Sequence, residues 1–241
     1  MELALLHGWG AHPVIWDPLT AHLPRNWRVR NVPLPGYAGA AAPHPYMLDE
    51  LAHAVCHDLP DRPLLVGWSL GGLVSMQIGF RWPEKVRGLI LIGATPCFVT
   101  RMNWPLGVAS DVFDGFAQHL ALDYEDTLRR FIALQAQGAS SMREVLRELR
   151  GRLLTQPRPE ATVLQGGLAI LQETDLRKTL PELPLSIVHG AGDKLAPIGA
   201  ARWLVNAVRD SRLLELGGAG HAPFLSHPAE VARFIVEVAG A

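Results

Sequence analysis

The chain has 241 residues, 49% of them hydrophobic, with 22 basic and 23 acidic side chains and a formal net charge of −1. That composition can bury one substantial core and excludes a disordered chain. The near balance of charge excludes the overall basic field of a nucleic-acid or anionic-membrane binder.

Met1–Leu6 is too short and wrongly flanked for a signal peptide, and holds the first expected strand, Leu3–Leu6. The turn His7-Gly8-Trp9-Gly10 follows, then a strand at Arg28–Val32 and a helix over Met47–Leu59 with helical spacing of its apolar residues. A third strand, Leu64–Val66, runs into Gly67-Trp68-Ser69-Leu70-Gly71-Gly72 and a helix over Leu70–Trp82, and Leu89–Ile92 is a fourth strand. From about Pro105 to Leu183 the alternation stops. No strand is predicted there, only helical patterns broken at Gly138, at Gln156-Pro157-Arg158-Pro159 and at Gly166-Gly167. Strands at Leu185–Val188 and Leu213–Leu216 then alternate with helices over Ile198–Val208 and Pro228–Val238, with Pro228 at a favourable first helical position. Strand–helix alternation predicts an α/β fold with a mostly parallel sheet covered on both faces. Residues 1–104 and 184–241 form its core, and 105–183 are read as an inserted helical cap. Cys56 and Cys97 make neither a disulfide framework nor a metal-ligand spacing, and no apolar run approaches the ~18 residues of a membrane span. The expected protein is cytoplasmic and monomeric, with no metal, cofactor, nucleic-acid or membrane partner.

The chemistry is concentrated in three loops that each follow a strand. Ser69 sits at the apex of a strand–turn–helix, between glycines that permit a tight turn. A serine hydroxyl is a poor nucleophile without a base, and the base needs a carboxylate to fix its tautomer. Of ten histidines, His221 is best placed, in a small-residue loop between the last strand and the last helix. Asp193, reached through a glycine turn after its own strand, is the matching acid. The order Ser69, Asp193, His221 is the one a nucleophile elbow requires. The backbone N–H groups of Leu70 and Trp9 are the expected oxyanion donors, while His7 and His189 are read as structural.

With HGWG, GWSLGG, HGAGD and GHAPFLSHPAE in place, the chain resembles the α/β-hydrolase-fold serine esterases. Within them it is most similar to the pimeloyl-acyl-carrier-protein methyl ester carboxylesterases of biotin synthesis, over nearly its whole length. The resemblance implies hydrolysis of a methyl ester whose acyl chain stays attached to acyl carrier protein. It implies a substrate site lined by Trp9, Ser69, Leu70, Phe131, Ile132, Ala133, Leu134, Gln135 and His221, and cap arginines Arg130, Arg143 and Arg147 facing the acidic carrier. Asp126 stands where a further arginine is expected, so that either neighbouring Arg129 compensates or docking is weaker or shifted. Independently, residues 126–158 hold seven arginines and three acids, a surplus of four positive charges. The first strand begins too early for the leading hairpin many α/β-hydrolases carry, so the sheet is expected to be shorter at one edge. A small-ester hydrolase with no protein partner, or a slow-turnover ligand receptor of the same fold, shares the same three catalytic residues and stays open at this point.

Overall fold

The computed structural model describes residues 1–240, the side chain of residue 121 apart; Ala241, the last residue of the expected C-terminal core segment, lies outside the described residues. Six strands, β1 (Glu2–Leu6), β2 (Arg28–Val32), β3 (Leu64–Trp68), β4 (Gly88–Ile92), β5 (Leu185–Gly190) and β6 (Arg212–Leu216), form one sheet in the order β2-β1-β3-β4-β5-β6. Every neighbouring pair is parallel. The middle strands β3, β4 and β5 are buried along their whole length, whereas the edge strand β2 exposes alternate residues and the other edge strand, β6, exposes Arg212 and Glu215. This is why Leu64–Val66 and Leu89–Ile92 read as unbroken apolar runs and Arg28–Val32 alternates.

Helices cover both faces. Leu6, Leu65, Leu91 and Ile187 belong to one apolar layer, which α2 (Leu48–Asp58), α3 (Leu70–Arg81) and α8 (Ile198–Ala207) complete. The alternate residues Leu5, Val66, Ile90 and Val188 belong to the other, with α1 (Asp17–Thr20) and residues from the C-terminal end of the chain. Between β4 and β5 come four helices, α4 (Ser110–Leu122), α5 (Tyr124–Ala136), α6 (Met142–Leu153) and α7 (Ala161–Glu173). The chain ends with α9 (Pro223–Ser226) and α10 (Pro228–Ala239). No helix among the described residues is long and apolar enough to cross a membrane.

One expected break is absent. Gly166 and Gly167 lie inside α7, not between helices. Each is a point of close approach: a Cβ at 166 would lie 2.6 Å from the Tyr46 ring, and one at 167 would lie 2.6 Å from the Trp9 indole. The glycines cost helix propensity, about 1 kcal/mol each, but let α7 sit directly on two aromatic rings.

The sheet order places β2 and β3 on opposite sides of β1, so the chain reverses its direction of travel between β1 and β3. Loops leaving the carboxyl ends of those two strands part there and leave a crevice, the usual ligand position in open parallel sheets. The turn His7–Gly10 follows β1 and Ser69 follows β3, both at this switch point.

Candidate active site

Ser69 has φ 56° and ψ −116°, a strained conformation that an L-residue rarely adopts, directly between β3 and α3. The glycines around it are required by contact. A Cβ on Gly67 would lie 2.4 Å from the Gly71 carbonyl oxygen, and one on Gly71 would lie 2.5 Å from that of Leu6. The sharp turn therefore packs backbone against backbone and presents the hydroxyl at its apex. Ser69 is 3% exposed, and its hydroxyl has no hydrogen-bond partner among the described residues.

Asp193 and His221 meet: His221 Nδ1 lies 2.8 Å from Asp193 Oδ2, with both side chains fully buried. The other carboxylate oxygen, Oδ1, accepts from the N–H groups of Leu195 at 2.8 Å and Ala196 at 3.0 Å. A carboxylate only accepts, so the proton lies on Nδ1 and leaves Nε2 a lone pair. That Nε2 is buried without a partner among the described residues, and Ser69 Oγ makes no hydrogen bond to it in this conformation. Such contacts tighten when substrate is bound. Burial works to raise the Asp193 pKa, but the His221 ring and its hydrogen bond, together with His189 and the Ala196 N–H, outweigh it and hold the carboxyl below its ordinary value. His189 donates from Nε2 to the Ala196 carbonyl at 2.6 Å and lies 3.5 Å from Asp193 Oδ2, so it buttresses the acid loop.

The two expected oxyanion donors are free. In the turn after β1, the Gly10 N–H goes to Tyr37 Oη at 3.2 Å and the Ala11 N–H to the Gly8 carbonyl at 3.3 Å, which leaves that of Trp9 without an acceptor among the described residues. The Leu70 N–H, at the first residue of α3, likewise has no acceptor among the described residues. The Trp9 side chain is fixed elsewhere. Its Nε1 donates to the Leu164 carbonyl at 2.8 Å and its ring meets Phe131 edge-on at 4.6 Å.

His7 holds the turn, with Nδ1 at the Gly8 carbonyl (2.8 Å) and Nε2 accepting from the Leu34 N–H (3.1 Å). Burial lowers its pKa from 6.5 to about 4. Below pH 6.5 the unfolded chain takes up a proton there that the folded chain refuses until about pH 4, so this group makes stability fall as the pH drops through that window. The loss amounts to about 3 kcal/mol at its limit, and His189, also lowered by burial, adds in the same sense. His7→Gln keeps an acceptor for Leu34 but does not titrate. Urea unfolding of that variant between pH 6.5 and 4 is expected to show a shallower decline than the parent; an identical slope would contradict this.

The five-residue stretch on α5 does not act as one surface. Phe131 meets Trp9 edge to face, and Leu134 packs against the same layer. Ile132 instead joins the opposite layer with Val145 and Leu149, while Ala133 is half-buried. Consecutive helical residues point in different directions, whereas Phe131, Leu134 and Gln135, at i, i+3 and i+4, share one face. Gln135 touches the site through its backbone, its carbonyl accepting the His221 N–H at 3.3 Å, and its side-chain Oε1 is buried without a partner among the described residues. Sequence reasoning missed this contact and the Trp68 Nε1 bond to the His221 carbonyl (2.8 Å), which also holds the base.

The basic surface divides in two. Arg130 Nε lies 2.6 Å from Asp126 Oδ2, and Arg129 lies 3.4 Å from Glu125. Arg143, Arg147 and Arg150 are exposed along one stripe of α6, with no ion pair among the described residues. A cleft of about 80 Å³ between the loop after β1 and the ends of α5 and α6 is lined by Gly10, Ala11, Tyr124, Leu128, Leu153 and Arg158, among others. Among the described residues no three His, Cys, Asp or Glu side chains are grouped so as to hold a metal ion.

A family model described as alpha/beta hydrolase family matches residues 3–234. The chain belongs to the alpha/beta hydrolase family. It is 45% identical to the pimeloyl-[acyl-carrier protein] methyl ester esterase of Aromatoleum aromaticum, over 98% of this chain and 97% of that protein. The protein of the same name from Edwardsiella ictaluri is 42% identical, over 99% and 93% respectively. Among solved alpha/beta hydrolase-like structures, an esterase from Exiguobacterium antarcticum superposes with a TM-score of 0.88 at 23% identity, covering 100% of this chain and 92% of that one. A bromoperoxidase from Bacillus anthracis gives 0.87 at 18%, covering 100% and 92%. Neighbours this distant carry the fold alone and do not choose an activity for this member of the family.

Proposed function

We propose that this alpha/beta hydrolase is a serine carboxylesterase that removes the methyl group from pimeloyl-acyl-carrier-protein methyl ester, the step that ends pimeloyl chain assembly for biotin. It would act in the cytoplasm as a monomer, without a cofactor. The substrate comes from relatives of that name, 45% and 42% identical over nearly full length. The chemistry rests on one observation above all: a buried imidazole held by a carboxylate at 2.8 Å, with its other nitrogen unclaimed. Ser69 Oγ attacks the ester carbonyl and passes its proton to His221 Nε2. The carbonyl oxygen, now an anion, takes hydrogen bonds from the Trp9 and Leu70 N–H groups. Methanol leaves with the proton from His221, and a water molecule, deprotonated by the same nitrogen, releases the free carboxylate and Ser69.

Residues 105–183 act as a cap in this reading. Trp9, Phe131 and Gln135 are each at most 2% exposed, so substrate admission involves movement of the cap, and the cleft beside Gly10 is the route proposed for the acyl chain. The carrier would dock on α6. Asp126 cancels the charge of Arg130 as a distant partner feels it, although so exposed a pair stabilises the fold by only about 0.3–0.5 kcal/mol. Arg143 and Arg147 therefore carry the attraction, with Arg130 in a lesser role.

The direct test incubates the purified protein with pimeloyl-carrier-protein methyl ester and follows loss of the methyl group by mass. In the same assay, Arg143→Glu with Arg147→Glu is expected to raise KM for the carrier-linked ester about tenfold, and Arg130→Glu to raise it less. Hydrolysis of a small aryl ester should stay unchanged. Equal effects on both substrates, or none on either, would favour a small-ester hydrolase with no protein partner.

A further inference from the structure

The turn between α5 and α6 is bonded into the loops that carry Asp193 and His221. Its contacts are almost entirely backbone to backbone. The His221 N–H donates to the Gln135 carbonyl at 3.3 Å, and the Ser140 N–H donates to the Gly218 carbonyl at 2.8 Å, where the Ser140 hydroxyl adds a second bond at 3.2 Å. Gly138, with φ +80°, lies flat on Gly192: a Cβ at 138 would fall 1.8 Å from the Gly192 carbonyl oxygen, and one at 192 would fall 2.3 Å from that of Gly138. A Cβ at 220 would fall 2.5 Å from the Gln137 carbonyl oxygen. The contacted positions 192 and 220 immediately precede Asp193 and His221. On its other side the His221 carbonyl accepts from Trp68 Nε1 at 2.8 Å. The base is thus gripped between Trp68, at the end of β3, and the turn of the cap.

We infer that the cap turn Gln135–Ser140 is a positioning element of the acid–base pair. The inference rests on the catalytic assignment proposed above. Its residues touch no reacting atom; they act by fixing where Asp193 and His221 stand. Side-chain-free positions are needed because the approach is closer than any Cβ allows.

Gly192→Ala tests this, since 192 is limited by contact and not by a positive φ. With p-nitrophenyl acetate, which needs no carrier docking, kcat is expected to fall about 10- to 100-fold, with KM within about twofold and the acid limb of the kcat/KM pH profile displaced. Gly151→Ala, at a cap glycine with open space where its Cβ would sit, should change neither. A folded Gly192→Ala protein with parental kcat and pH profile would overturn the inference. Should that variant not fold, hydrogen exchange of the unaltered protein decides. The Ser140 and His221 amides, whose acceptors lie across the junction, should exchange as slowly as the central sheet; exchange as fast as exposed amides of α4 would overturn it. Ser69→Ala separates the two claims. If it retains turnover the catalytic assignment fails, whereas an inactive Ser69→Ala beside a parental Gly192→Ala leaves that assignment standing and removes only the positioning role.

Discussion

Ser69→Ala is expected to lower kcat by about 10⁶-fold while leaving the melting temperature unchanged. The size of the loss follows from removing the atom that bonds covalently to substrate, since nucleophile deletions in Ser-His-Asp enzymes cost about that much and leave only oxyanion binding. The unchanged stability follows from the structure: the Ser69 hydroxyl has no partner among the described residues, and alanine suffers the same φ of 56°. Ser69→Gly sharpens the point. It loses the same activity but relieves the left-handed strain, so it should be more stable than the parent by about 1 kcal/mol. The strain is then a cost borne for catalysis, as expected where a rigid turn holds a reactive group. Single-turnover methanol release and thermal unfolding of the two variants check both halves. Parental turnover by either variant would remove Ser69 from the mechanism.

The fold was legible because burial writes directly on composition. Buried strands in the middle of the sheet are mostly apolar, and the edge strand β2 alternates, so all six could be placed to within two residues at either end. The positions of Ser69, Asp193 and His221 followed from the same logic, because each lies just after a strand and parallel strands end at one rim. What stayed hidden depends on partners distant in sequence. Gly166 and Gly167 look like a helix break when their reason is Tyr46 and Trp9. Ile132 sits among residues expected to line the substrate site, and only the packing of α5 against α6 shows that it faces Val145 and Leu149. The Gln135 carbonyl and the Gly138–Gly192 contact involve backbone alone, and backbone leaves no residue-type signal beyond a glycine. The Asp126–Arg130 pair is different: its i,i+4 spacing is visible in the sequence, but that Arg143, Arg147 and Arg150 stand without an ion pair among the described residues is visible only in the structure.

Asp193→Asn is expected to lower kcat about 10⁴-fold without emptying the site. The geometry dictates how. The N–H groups of Leu195 and Ala196 point at Oδ1 at 2.8 and 3.0 Å, so the asparagine must turn its carbonyl oxygen toward them. Its NH₂ then faces His221 Nδ1, which can only accept, and the proton moves to Nε2, the atom that must receive the Ser69 proton. The imidazole stays in place in the wrong tautomer, and nothing compensates the positive charge that would form on it. The pH dependence of stability gives an independent reading. Against the burial that favours protonation, His221, His189 and the Ala196 N–H hold the Asp193 pKa below its ordinary 3.8. A depressed carboxylate contributes stability that is present above pH 3.8 and is lost as pH falls through its folded value. The variant should therefore be less stable than the parent near neutrality, with the gap narrowing below about pH 4. Urea unfolding from pH 7 to pH 3 would show the convergence, and a gap that stays constant over that range would mean Asp193 is not the ionised partner of His221.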